Sequence, residues 1–438
     1  MLLDALSTVA EMEAVFSDTA VLTAMLHFER ALARVEADRG IIPHAAAEAI
    51  GLLAVDSLDA RSIASDARAS ATPAVPFVNA VVAALEGTSR DAAAAVHRGA
   101  TSQDLTDTAL VLCLQRAQPV LDGFQARIAA ALRRLSGEHA GTIMLARTLL
   151  QPAAPTTFGL KAAGWLGSLS RSHEAVSEGF RRACVLQFGG PAGTLAALGD
   201  EGLRVAEDLA RALDLPLPDA PWHAHRDRLA SLVTACAVYS GAIAKAARDI
   251  ALLMQAEVGE AAEPGGRSSA MPHKRNPAGC AVAITSAARL PGLAATFLAG
   301  MAHEHERGLA GSPAEWTTVA AAVTATGSAA SALAGVVETL QIDGDRMRQA
   351  LDETHGSILA ERAMLWLSPV LGRQAAVNAV RQTLAASEHG RSFVAALRAH
   401  PDVAPIMSSE TAAGLEDFGT YLGMAEQFRR RLTGDPNE

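Results

Sequence analysis

Residues 227–258 read DRLASLVTACAVYSGAIAKAARDIALLMQAEV, and residues 263–277, EPGGRSSAMPHKRNP, break that pattern. The first stretch has no proline and is rich in alanine, so it predicts one long helix. The second crowds Pro264, Gly265, Gly266, Pro272 and Pro277 together. Glycine frees the backbone and proline stops a helix, which predicts a loop between two long helices.

Working outward, further long helices are predicted at about 278–303 and 315–341. Upstream, Phe16, Leu22, Met25, Phe28 and Leu32 recur at helical spacing within 12–37. Pro43 opens a short helix, and Thr72-Pro73 and Val75-Pro76 precede an apolar helix to about Leu85. Residues 99–107 are polar and read as a turn, ahead of a long helix to Leu135. Helices are also predicted over 159–179 and 201–213, before Pro216, Pro218 and Pro221. No stretch is β-rich. The predicted class is all-α: a central bundle of long helices, 111–355, flanked by smaller helical domains at 1–110 and 356–438.

Hydrophobic residues make up 50% of the 438, much of the excess being alanine, whose small side chain lets helices approach closely. A large interface between copies suits such a surface, so a homo-oligomer is expected. The formal net charge of −10 argues against nucleic acid or an anionic membrane as a partner. Two Tyr and four Trp are too few for a base-stacking stripe. Residues 316–337 carry no charge but consist largely of Ala, Thr, Ser and Gly, which suits a buried core helix better than a membrane span. Cys113, Cys184, Cys236 and Cys280 match no metal or redox spacing and read as buried thiols. Asp4 and Glu11 interrupt the start, so no signal peptide is expected and the cytoplasm is the default location.

An acidic protein that binds an anion must gather its cations locally. The 263–277 loop does so, with Arg267, Lys274 and Arg275 beside Ser268, Ser269, His273 and Asn276. Lys274 and Arg275 can neutralise carboxylates, and Asn276 can orient one. A serine becomes a base only where cations and N–H donors stabilise its alkoxide in a closed, dry site. On composition alone a solvated basic linker fits as well.

The segment resembles the signature of the fumarase/aspartase superfamily, which normally reads Gly-Ser-Ser-x-Met-Pro-x-Lys-x-Asn-Pro. Arg267 stands where the glycine is usual. His97-Arg98-Gly99-Ala100-Thr101-Ser102-Gln103-Asp104, followed by Asp107-Thr108, resembles a first block of that superfamily. Arg147-Thr148-Leu149-Leu150-Gln151, followed by Pro155-Thr156-Thr157-Phe158-Gly159, resembles a second. The resemblance implies a homotetramer whose active sites each draw the three blocks from different subunits, acting on a small polycarboxylate. Charge stabilisation can handle the carbon acidity, so no cofactor is implied.

Within the superfamily, Gln187-Phe188-Gly189-Gly190, Pro221-Trp222-His223, Arg226-Asp227-Arg228, His303–Arg307 and Glu315-Trp316 resemble the carboxymuconate cycloisomerase branch. Many other members have Thr-His in the second block, the histidine protonating the leaving group. Here Leu149 takes that place, and Ala281 replaces the glutamate that supports the histidine in adenylosuccinate lyases. An amine or hydroxide leaves poorly without a proton. A lactone opens to a carboxylate, whose conjugate acid has a pKa of about 4, so it leaves as an anion. The pair of replacements therefore suits lactone chemistry.

On this resemblance Ser268 moves the proton at carbon, with Ser269 the less favoured choice. Thr101, Ser102, Gln151, Lys274 and Asn276 stabilise the developing enediolate. His97 contacts a carboxylate or has a structural role. Thr148 is a site hydroxyl or a cap. His273 faces substrate or solvent, and Met271 lines the site. Arg307 binds a distal carboxylate or pairs with a nearby glutamate. His303-Glu304-His305-Glu306 lacks the HExxH spacing of a zinc site, and His223 and His225 read as helix-entry residues. Gly189–Gly193 follows no strand and has no phosphate-binding lysine. The rival functions are a C–N or C–O lyase of the adenylosuccinate type and a non-catalytic structural relative.

Overall fold

The computed structural model describes residues 4–266, 271, 273–309, 311–387 and 391–434. Among the described residues the chain is all-α apart from two short antiparallel strand pairs and an isolated bridge between His225 and Ala302. It forms two compact units, one from residues 1–126, 171–244 and 282–332, the other from 127–170, 245–281 and 333–438.

In the first unit the helix expected over 12–37 is two, Ala10–Val15 and Asp18–Asp38. Ser17 causes the break: its backbone is extended and its Oγ accepts from Ala20 N at 3.2 Å, capping the second helix. Leu22, Met25, Phe28, Leu32 and Val35 of that helix are buried, and so are Glu29 and Glu36. The turn expected at 99–107 is instead mostly helix, because Ser102–Glu138 begins before it ends. Asp227–Leu253 buries Leu229, Leu232, Val233, Cys236 and Tyr239. Gly179 lets its own helix, Phe158–Ala183, approach it, since an added Cβ there would lie 3.0 Å from Leu232 Cα. The helix expected over 278–303 is also two, Ala278–Ala287 and Leu290–Gly300. Pro291 sits in the first turn of the second, where its missing N–H leaves no helical bond unmade.

Gly311–Thr339 contains the uncharged 316–337 stretch and buries Val319, Ala322, Val323, Ala325 and Ala329. Among the described residues three stretches, Asp227–Leu253, Ala278–Gly300 and Gly311–Thr339, are long and apolar enough to cross a membrane by length and composition alone. The most apolar window of the last is 67% buried inside the protein, as a core helix requires. All four cysteines are free and buried.

In the second unit a hairpin that the sequence reading did not anticipate pairs Ile143–Thr148 with Gln151–Thr157. The second strand carries Pro152 and Pro155, which normally argue against a strand. A two-stranded hairpin tolerates them because each strand has an outer edge that needs no ladder bonds. A second, two-residue pairing joins Ala261–Ala262 to Gln341–Ile342. The C-terminal helices pack around Leu351, Leu359, Leu367, Phe393, Leu397 and Val403, and the hairpin's Leu145 joins that core.

Candidate active site

Thr101 is the N-cap of Ser102–Glu138, and Asp104, three residues on, reaches back so that its Oδ2 accepts from Thr101 N at 3.0 Å. This is half of a capping box. The Thr101 hydroxyl itself accepts from Arg307 Nη1 at 3.0 Å. Arg307 Nη2 donates to Pro191 O at 3.1 Å, and no glutamate pairs with it among the described residues.

Asp104 is fully buried and takes three further donors: Gly189 N at 3.0 Å, Gly190 N at 2.8 Å and His223 Nε2 at 2.7 Å. One carboxylate thus ties the start of the helix to the 187–193 loop and to the segment before Asp227–Leu253. The loop needs its glycines: a Cβ on Gly189 would lie 2.6 Å from Pro221, and Gly190 has φ +69°.

One turn further along the helix lies a buried ion network. Arg226 donates to Asp107 through Nη1 and Nη2 at 2.7 and 3.0 Å, and to Glu315 through Nε at 2.6 Å. His303 Nε2 lies 3.0 Å from the other Glu315 oxygen. Burial alone would raise the Asp107 pKa, but the Arg226 guanidinium overcomes it and holds the group below the usual carboxylate range. The network anchors 303–309, the segment that presents Arg307. His303 and Glu315 are therefore hydrogen-bond partners, and His223 holds Asp104.

His97 has φ +61°, a conformation unusual for a residue with a side chain. Glu29, buried at 1% exposure, grips it at two points. His97 N donates to Glu29 Oε2 at 3.0 Å, and the ring Nδ1 lies 2.6 Å from Oε1. Burial opposes the charged ring, but Glu29 and then Asp104 outweigh it and raise the His97 pKa above its ordinary value.

In the second unit Thr148 and Gln151 face each other as the last pair of the hairpin. Between them Leu149 and Leu150 adopt φ of +51° and +64°, with Leu149 96% exposed. Arg147 supports the strand through Glu260, with Nη1 and Nη2 at 2.9 and 2.6 Å from its carboxylate. The 263–277 loop is held from both sides. Glu263 accepts from Gly279 N at 2.7 Å and Cys280 N at 3.2 Å, placing a carboxylate at the positive end of Ala278–Ala287. Asn276 N donates to Gly266 O at 2.8 Å, and Lys274 N to Met271 O at 3.0 Å. His273 and Lys274 are exposed. Ser268 and Ser269, with Arg267, lie outside the described residues.

The first unit thus joins Thr101 to Arg307, with His97 and Ser102 in the same stretch of chain, while the second carries Thr148 and Gln151 on its hairpin and Met271, His273, Lys274 and Asn276 on its loop. Of the carboxylates behind them, Asp104, Asp107 and Glu315 stood in the quoted motifs without an assigned role, and Glu29, Glu260 and Glu263 were not singled out by the sequence. A signal existed for Glu29, since two glutamates seven residues apart share the apolar face of one helix.

Residues 6–292 match the family described as lyase. The 3-carboxy-cis,cis-muconate cycloisomerase of Bradyrhizobium diazoefficiens is 42% identical over 97% of this chain and 95% of that protein. The nitrosuccinate lyase of Streptomyces davaonensis is 38% identical over 97% of this chain and 92% of that protein. Among solved structures, the 3-carboxy-cis,cis-muconate lactonizing enzyme from Pseudomonas putida superimposes with a TM-score of 0.93 at 40% identity, covering 99% of this chain and 98% of that one. Signature loop, helical fold and matched length agree: the chain belongs to the lyase family of the fumarase/aspartase superfamily.

Proposed function

We propose that this chain is a cycloisomerase, an intramolecular lyase interconverting 3-carboxy-cis,cis-muconate and 4-carboxymuconolactone (2-carboxy-2,5-dihydro-5-oxofuran-2-acetate). The reaction belongs to the protocatechuate branch of the β-ketoadipate pathway. The carrying observation is Leu149, an alkyl side chain at the hairpin tip between Thr148 and Gln151, where a lyase with a poor leaving group needs an acid. Relatives named for this reaction at 40–42% identity over nearly the whole chain support it.

In the lactone-closing direction a substrate carboxylate oxygen adds to the diene, and the carbon alpha to a second carboxylate receives a proton from Ser268. In reverse, Ser268 removes that proton, negative charge spreads onto the adjacent carboxylate, and the ring carboxylate departs. Lys274, Asn276, Gln151, Thr101 and Ser102 supply cation and donors where the charge develops. Charged His97 donates to a substrate carboxylate, while Thr148, Ser269, Met271 and His273 line the substrate. Arg307 keeps Thr101 oriented and meets a distal carboxylate. A homotetramer in the cytoplasm, each site drawing its blocks from several subunits, completes the reading.

The test is ultraviolet loss of the conjugated diene of 3-carboxy-cis,cis-muconate with identification of the product. No diene loss by folded protein rejects the assignment, and efficient AMP release from adenylosuccinate would replace it. Unchanged lactonisation in Ser268→Ala would remove the serine from the mechanism.

A further inference from the structure

We propose that Glu29 is the positioning residue for His97, holding it as an imidazolium whose Nε2–H is the donor offered to a substrate carboxylate. This rests on the reading of His97 as a substrate-contacting group. Both oxygens of the buried Glu29 carboxylate are committed to this one residue, one to its backbone N–H and one to its ring. The backbone bond holds the left-handed turn that projects the side chain, and the ring bond selects which nitrogen remains available. Nε2 has no hydrogen-bond partner among the described residues.

The chemistry follows from proton counting. A carboxylate accepts hydrogen bonds and cannot donate them, so Nδ1 beside Glu29 keeps its proton. Nε2 then carries a proton only when the ring is charged. A neutral ring locked this way would present a lone pair to an anionic substrate, which repels it. The donor is therefore available only in the charged form, and Glu29 holds the ring in that form. The groups around the ring agree in sign. Glu29 comes from Asp18–Asp38 and Asp104 from Ser102–Glu138, and both favour the imidazolium. Glu36, two turns from Glu29, is kept neutral by burial, and Arg98 lies near it.

The test uses the full-length enzyme with Glu29→Gln, His97→Gln and the double variant. A facing carboxylate raises a partner's pKa by about one to three pH units, so in Glu29→Gln the alkaline limb of kcat/KM should move down by at least about one unit. At a pH above both limbs that is a loss of about tenfold or more, with most of it recovered near pH 6. A second measurement needs no turnover. Diethyl pyrocarbonate acylates the neutral ring, and mass spectrometry of the His97 peptide against pH gives its titration midpoint. That midpoint should lie above the ordinary histidine value in the parent and fall in Glu29→Gln. Adding Glu29→Gln to His97→Gln should cost nothing more.

A parent midpoint at or below the ordinary value overturns the proposal even if Glu29→Gln fails to fold. An unshifted limb in folded Glu29→Gln, with His97→Gln impaired, overturns the role of Glu29 and leaves the site reading standing. Unimpaired His97→Gln removes His97 from the site and takes this proposal with it.

Discussion

Glu36→Gln should stabilise this protein increasingly as pH rises. Glu36 has 0% exposure, and neither carboxyl oxygen has a hydrogen-bond partner among the described residues. Burial pushes its pKa up to about 8 from 4.5; Arg98 opposes the rise and Glu29 adds to it. The folded protein thus holds a proton on Glu36 over a pH range in which the unfolded chain has released it. Folding's preference for the neutral acid is fully in force below about 4.5, erodes as pH climbs through the interval, and is exhausted above about 8. Each pH unit of that gap is worth about 1.4 kcal/mol, so the ceiling is about 5 kcal/mol, of which about 3 has accrued by pH 7. Glutamine has nearly the same shape and no charge to desolvate. The assay is urea denaturation of parent and Glu36→Gln at fixed protein concentration from pH 4.5 to 9. Subtracting the two cancels every other titrating group. The stability difference should grow with pH in favour of the variant and flatten above about 8. A difference that stays flat across the range, or that grows in favour of the parent, refutes the reasoning.

Asp104→Asn puts an amide NH₂ against backbone N–H donors whichever way it is turned, because each Asp104 oxygen accepts from at least one of them. It should cost about 2–4 kcal/mol in urea unfolding. Leu149→His restores an acid at the hairpin tip, where φ of +51° is tolerated better by histidine than by leucine. Lactonisation should change by less than about threefold, whereas a hundredfold gain would show that the step at oxygen does need a proton. Gly266→Ala forces a Cβ to within 1.9 Å of Asn276 O at a residue with φ +56°. It should destabilise by no more than about 1–2 kcal/mol, yet cut kcat by displacing Asn276 and Lys274. Parent-like kcat would detach the loop from the chemistry.

The long helices were legible because they are local objects. Proline-free, alanine-rich runs make their own backbone bonds, and the punctuation around them lies in adjacent residues. Two breaks, at Ser17 and ahead of Pro291, were local and still went unread; the other errors fell where a residue's partner lies far along the chain. Residues 99–107 read as a turn because Thr, Ser, Gln and Asp solvate well. In the structure Asp104 instead binds Gly189, Gly190 and His223, and Asp107 binds Arg226. With those donors supplied, a helix can start at Ser102 without leaving buried charge unpaired. The hairpin escaped notice because its prolines are harmless only at a strand edge, and which edge is free is settled by pairing.

What the sequence by itself determined is the all-α class, the lyase family and the side chains available for chemistry, since these depend on residue identity and near-neighbour spacing. Only the tertiary structure decided which of those side chains are held, and by what. The carboxylates of Glu29, Asp104, Asp107 and Glu315 meet partners between 3 and 209 positions away. The physical reason is that a buried ionised group survives only where a partner has been brought to it. Meetings across tens of residues are set by the packing of whole helices, and the spacing along the chain carries no record of them.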